Sequence, residues 1–301
     1  GDGILMPSFT FVATAETAAL LGAKPIFVDV SPDTFLLDPS SLERNIQSAK
    51  TMGIKMKAII AVDLFGQPVD YQALEKIAKK YNLVLIADAA QSFGASQNSK
   101  RVGTLAKITT TSFFPSKPLG CYGDGGAIFT NDDMIADTLK SIRVHGAGAD
   151  KYDNIRIGIN GRLDTLQASI LLEKLDFLEA ELKLRDALAD RYNEHLMDLV
   201  KTPIVSDGSV SAWAQYTIVV NDRDALSSKL LELGIPTAIY YKTPLHKQTA
   251  YVSRGIVAES LEVSEKLSET VLSLPMHPYL DELDQDRICD MIASQLLLIN
   301  K

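Results

Sequence analysis

The chain has 301 residues, a formal net charge of −8 and a sequence pI near 5.1. That acidic balance argues against a nucleic-acid or anionic-membrane surface as the main partner, though one phosphorylated ligand stays compatible with it. Its two cysteines, Cys121 and Cys289, make neither a disulfide framework nor a CxxC metal pair, and no apolar run approaches the ~20 residues of a membrane span.

This cysteine usage fits a reducing, cytoplasmic compartment. The length predicts a large domain and a smaller one, with residues 1–175 and 176–301 as the expected division. The chain opens at Gly1-Asp2-Gly3 without Met and runs into Ile4-Leu5-Met6-Pro7. This reads as a turn feeding a strand, so a further N-terminal piece is expected in the natural protein.

Residues 4–6 form the first expected strand, ended by Pro7. An Ala-rich helix follows over 11–21, closed by Gly22. A strand over 25–30 leads to a helix over 39–48, with Asp38 at its N-cap and Pro39 in its first turn. The apolar run 57–62 ends in Asp63, and residues 70–81 place Leu74, Ile77, Ala78 and Tyr81 on one helical face. Another apolar strand over 83–87 ends at Asp88.

Apolar strands alternating with helices at short spacing predict an α/β fold, a mainly parallel sheet covered on both faces. Ligands of such sheets sit at the carboxyl ends of the strands, near Asp29, Asp63 and Asp88. Further on, β-rich runs over 108–114 and 127–130 bracket a loop. Residues 163–196 read as one long helix with an apolar side of Leu166, Ile170, Leu175, Leu178, Leu182 and Leu188. Strands over 214–220 and 236–240, with helices over 224–233, 260–272 and 284–298, complete a small α+β domain.

The loop holds the strongest chemical signal. Lys117 stands between Pro115 and Pro118, which restrain the backbone on both sides. Phe113, Phe114 and Leu119 flank it, and a desolvated lysine has a lowered pKa and becomes a usable amine nucleophile. A lone lysine is most often a solvated surface group; these surroundings favour a Schiff-base lysine. Thr110, Thr111, Ser112 and Ser116 offer donors for a phosphate.

Asp88 closes a buried strand, where a carboxylate is costly without partners. It reads either as an N-cap for residues 89–93 or as the partner of a cationic ring nitrogen, which pyridoxal phosphate needs as an electron sink. Gln91 reads as a ligand contact or a turn residue, and Phe11 as a ring-stacking group or ordinary core. In GINGRLD, Asn160 and Arg162 read as a helix start or an anion site. His145 sits in another polar loop.

The run GCYGDGG precedes a strand, so it is no dinucleotide fingerprint. The histidines show no metal spacing, and no GxSxG elbow or P-loop is present.

Taken together, PSFTFVATAETAALLGAKPIFVDV, DLFGQPVD, IADAAQSFGA, SFFPSKPLGCYGDGGAIFTND, GINGRLDTLQASIL and SLPMHPYL resemble the DegT-type nucleotide-sugar aminotransferases over essentially the whole chain. That family belongs to the fold-type I, pyridoxal-phosphate-dependent superfamily, with a seven-strand-type sheet. The resemblance implies that Lys117 forms the Schiff base and that Asp88 pairs with the pyridinium nitrogen. It further implies that Gln91 contacts the phenolic oxygen side, Phe11 stacks on the ring and Ser112 binds the phosphate. Asn160 would reach the phosphate of the neighbouring subunit of a homodimer.

Arg162, His145, Tyr240, His246 and His277 match loops on the substrate side. The likeness is strongest to the subgroup that aminates the 3-keto group of a UDP-2-acetamido-hexuronic acid. Those enzymes take the amine from glutamate and feed surface-polysaccharide synthesis; Arg162 is the expected partner of the sugar carboxylate. The family also carries, ahead of the stretch matching Gly1, a helix start whose amides hold the cofactor phosphate. A keto-sugar dehydratase on the same scaffold, a non-catalytic cofactor-binding sensor and an inactive fragment are the alternative readings. The Schiff-base lysine argues against the dehydratase.

Overall fold

A computed structural model describes residues 1–150 and 152–299. The order begins β1 (Gly3–Pro7), α1 (Ala13–Leu20), β2 (Lys24–Val28), α2 (Pro39–Thr51), β3 (Met56–Val62), α3 (Tyr71–Tyr81) and β4 (Val84–Asp88). Two short strands, β5 (Ser96–Gln97) and β6 (Lys100–Arg101), precede β7 (Ile108–Ser112), β8 (Gly126–Phe129) and α4 (Asp133–Arg143). The long α5 (Thr165–Leu196) leads to β9 (Ser209–Val210), β10 (Tyr216–Val219), α6 (Arg223–Glu232), β11 (Ile256–Val257), α7 (Glu262–Thr270), β12 (Val271–Leu274) and α8 (Glu282–Ile299).

The main sheet has seven strands in the order β11-β2-β1-β3-β4-β7-β8. Every neighbouring pair is parallel except β7 with β8. The expected mainly parallel α/β sheet is therefore present, and its parallel strands all end on one edge.

Local chemistry explains the helices around it. Asp38 caps α2 by accepting from Ser40 N and Ser41 N, and Asp70 caps α3 by accepting from Ala73 N. Helix α3 buries Tyr71, Leu74, Ile77 and Ala78 and stops at Asn82, whose φ of 53° is left-handed. These side chains join one core with Leu5, Val28, Ile59 and Leu85 of the sheet. A second core combines Ala189, Tyr192 and Leu196 of α5 with Tyr216, Ile218, Leu272 and Ile292.

Three expectations need correction. Residues 236–240 form no strand; Ala238 makes a single antiparallel bridge to Ser273. The expected helix over 260–272 ends at Thr270, and the chain continues as β12, paired with β10. Val271, Leu272 and Leu274 are apolar enough for either state, and pairing with β10 decides it. The expected apolar side of α5 is only partly buried: Leu178 and Leu188 are inside, whereas Leu166 is 78% exposed and Leu175 is exposed too. The sequence pattern shows no sign of α4 or of the short strands β5, β6, β9 and β11.

A candidate active site at the carboxyl edge of the sheet

β4 ends at Asp88, in register with Val62 of β3 on one side and Thr110 of β7 on the other. The Asp88 carboxylate is held at both oxygens. Oδ1 accepts from Ala90 N at 3.2 Å, and Oδ2 accepts from Thr14 Oγ1 at 3.1 Å. It therefore closes a tight turn rather than capping a helix. Burial pushes this carboxyl above the ordinary aspartate range, while the Ala90 and Thr14 donors and the charge of Lys117 pull it back.

Lys117 follows β7. Its amide donates to Phe114 O at 2.9 Å, which makes residues 114–117 a tight turn. Gly120 locks that turn from behind: a Cβ there would lie 2.6 Å from Pro115 O and 2.7 Å from Phe114 O. Below it, Phe113, Leu119 and Cys121 pack with Leu171 and Leu178 of α5, and Lys174 Nζ donates to Gly120 O at 2.6 Å. Burial pulls the Lys117 ammonium below the ordinary lysine value, and the Asp88 charge opposes this.

Gln91 is buried, 6% exposed, three residues past Asp88. Its Oε1 accepts from Phe65 N at 2.5 Å, which leaves Nε2 as the donor toward the site, 3.3 Å from Tyr241 Oη. Phe11 is 54% exposed, too open for a core residue, and its ring centre lies 6.0 Å from that of Tyr241. Ser112 stands two residues beyond Thr110, the register partner of Asp88, and its Oγ accepts from Phe114 N. The hydroxyls of Thr110 and Thr111 donate to Ala87 O and Ala89 O, so they serve the strands and not a ligand.

Two members of the site were not foreseen. Thr14 lies three residues after Phe11, the spacing that puts two residues on one helix face, and that signal was available. Tyr241 carried no signal that separated it from Tyr240. Its phenol is pushed up by burial, with the Asp88 charge adding to the effect. Tyr240 is its neighbour, with ring centres 5.7 Å apart.

His145, Asn160 and Arg162 come together in a separate group. His145 N donates to Ile159 O, Asn160 bridges to Val144, and Arg162 Nε donates to Asn160 Oδ1 at 2.9 Å. All three are exposed, and among the described residues none makes a hydrogen bond or ion pair with Lys117 or Asp88. His277 is exposed in the turn between β12 and α8.

His246, expected on the substrate side, makes two internal hydrogen bonds. Its Nδ1 meets Ser8 Oγ at 2.7 Å, its Nε2 meets Glu265 Oε1 at 3.1 Å, and its side chain is 9% exposed. Asp29, another strand-end carboxylate, is also committed, accepting from Val263 N, Ser264 N and Ser264 Oγ at the start of α7.

A strand-end carboxylate, an oriented amide, an uncovered aromatic ring and a lysine in the turn after the adjacent strand are a donor set that could hold pyridoxal phosphate. The donor set fits the cofactor: a nucleophile for its aldehyde, an anion for its ring nitrogen and a donor for its phenolic oxygen. The comparisons agree. The profile of the DegT/DnrJ/EryC1/StrS aminotransferase family matches residues 1–293, and the chain belongs to that family.

It is 48% identical to the UDP-2-acetamido-2-deoxy-3-oxo-D-glucuronate aminotransferase of Pseudomonas aeruginosa, covering 98% of this chain and 79% of that one. The crystal structure of a family aminotransferase from Brucella abortus superposes with a TM-score of 0.96 at 52% identity, covering 98% of this chain and 79% of that one. A Bacillus subtilis relative whose structure holds pyridoxamine phosphate as cofactor superposes with a TM-score of 0.87 at 33% identity, over 98% and 68% of the two chains. The cofactor is pyridoxal 5′-phosphate. No helix among the described residues is long and apolar enough to cross a membrane.

Proposed function

We propose that the enzyme moves an amino group from glutamate to the 3-keto carbon of a UDP-linked 2-acetamido-hexuronic acid, in surface-polysaccharide synthesis in the cytoplasm. The observation that carries the reading is the pairing of β4, which ends at Asp88, with β7, whose following turn holds Lys117. Similarity to the Pseudomonas enzyme supports the substrate class.

Lys117 would hold the cofactor covalently, Asp88 its ring nitrogen, Gln91 Nε2 its phenolic oxygen, Ser112 its phosphate and Phe11 its face. The bound cofactor supplies an electron sink for the carbon that loses a proton. The Lys117 amine, when not bonded to the cofactor, would serve as the base that takes that proton and the acid that returns it. Burial favours this by keeping a larger share of the amine neutral. Thr14 and Ala90 hold the Asp88 carboxylate in place.

We assign Arg162 to the sugar carboxylate, with His145, Tyr240 and His277 on the substrate side. Two copies would build each site, Asn160 reaching the phosphate bound by the partner. Exposed apolar residues in the stretch after Asn154 support this: Ile157 is 97% exposed, and Ile155, Ile159, Leu166, Leu172 and Phe177 are exposed too. The division into domains 1–175 and 176–301, linked through α5, belongs to the same proposal. Turnover of glutamate with a panel of keto-sugar nucleotides tests it. Release of 2-oxoglutarate with the UDP-keto-hexuronate above its uncharged analogue is expected; no turnover with any keto-sugar nucleotide overturns it.

A further inference from the structure

We propose that Asp63 is a positioning residue, acting through the Ser92 hydroxyl to set the ring-facing pair Asp88 and Gln91. The inference rests on the cofactor assignment made above. Asp63 follows β3, is wholly buried, and touches none of the proposed ligands of the cofactor with its side chain. Its Oδ2 accepts from Ser92 Oγ at 2.7 Å, and its Oδ1 accepts from Val69 N and Tyr71 Oη, each at 2.9 Å.

Ser92 is the residue after Gln91. On the other side of the same glutamine, Phe65 N holds Oε1, and Phe65 lies two residues after Asp63. The backbone of Asp63 also donates to Asp88 O at 3.0 Å. One buried residue is thus tied to both ends of the 88–92 turn, its carboxylate to Ser92 and its backbone amide to Asp88. Remove its grip on Ser92 and Gln91 Nε2 loses the reference that aims it at the phenolic oxygen. The turn 64–67 extends the brace to the small-domain side, where Gly66 O accepts from Ala212 N, and Gln67 bonds Ile204 O and Ser206 N.

The asparagine variant distinguishes geometry from charge. In Asp63→Asn the amide oxygen can still accept from Val69 and Tyr71, and the NH₂ can donate to the Ser92 oxygen. Alanine at 63 or at 92 breaks the tie. Pyridoxal phosphate is titrated into each purified variant, reading the visible band of the bound cofactor, its wavelength and its amplitude. Thermal melting of the cofactor-free protein is read in parallel.

Asp63→Asn should bind within about threefold of wild type with the band unmoved, while Ser92→Ala and Asp63→Ala bind about tenfold or more weakly with a displaced band. Wild-type affinity and an unmoved band in both alanine variants overturn the proposal, whatever their melting temperatures. If Asp63→Ala does not fold, Ser92→Ala decides alone. Absence of any visible band in the wild-type protein fails the cofactor assignment itself, a separate result from an unmoved band in the variants.

Discussion

Gly120→Ala is a severe test of how the Lys117 turn is held. Its Cβ would stand 2.6 Å from Pro115 O and 2.7 Å from Phe114 O, where ordinary contact begins near 3.4 Å. Both obstacles are backbone, so roughly 0.8 Å must be found by moving the turn that presents Lys117, at an overpacking cost of about 1–3 kcal/mol. Gly234→Ala is the matched control. There φ is +76° and a Cβ meets nothing within 4 Å, so the cost is the left-handed penalty alone, about 1–2 kcal/mol.

The two variants should lose comparable melting temperature. Only Gly120→Ala should weaken pyridoxal phosphate binding, by about tenfold or more, because only there does the relaxation displace the amine. Titration of the visible cofactor band and thermal melting measure both quantities. Equal cofactor affinity in the two variants refutes the claim that Gly120 sets the lysine.

Further expectations concern other groups. Lys117→Ala should cut transamination by about a thousandfold or more while still binding pyridoxamine phosphate, which calorimetry would detect; retained turnover would contradict the role. The Asp63 carboxyl is raised by burial from 3.8 to about 7 in the fold. The folded state therefore binds its proton more tightly, so the stability this group contributes is full below about pH 3.8 and is lost as pH climbs through about 7. Asp63→Asn should gain on wild type in chemical-denaturation stability over that interval, and parallel pH profiles would rule this out.

His246→Ala should lower stability by about 1–3 kcal/mol through the unpaired Ser8 hydroxyl, Glu265 keeping its ion pair with Lys247, with KM for the sugar unchanged. A raised KM would return the histidine to the substrate side. Arg162→Met should raise KM for a carboxylate-bearing keto-sugar roughly tenfold and leave its uncharged analogue untouched. Equal effects on both sugars would remove Arg162 from the carboxylate.

Much of this was legible because local chemistry dictates it. The caps Asp38 and Asp70 fix where α2 and α3 begin, and the apolar face of α3 is the one buried. The candidate site drew attention for the same reason: a strand-end carboxylate and a lysine between prolines are costly arrangements that ask for a partner. What was hidden depends on distant pairing. β12 looks helical until β10 is beside it.

His246 looks like a free loop histidine until Ser8 and Glu265, 238 residues and 19 residues away in sequence, close on it. Tyr241 could not be told from Tyr240, because only the fold turns one of them toward Gln91. Asp63 was read as one strand-end acid among three. Its grip on Ser92 is a contact across two loops and leaves no trace in spacing.

The central claim is that Lys117 is the covalent anchor of the cofactor. The most direct measurement is borohydride reduction of the pyridoxal-phosphate-loaded protein, followed by digestion and mass spectrometry. The account predicts the phosphopyridoxyl group on Lys117 and its disappearance when glutamate is added before the reductant. A label on another lysine, or no label on a protein that has bound the cofactor, would contradict it.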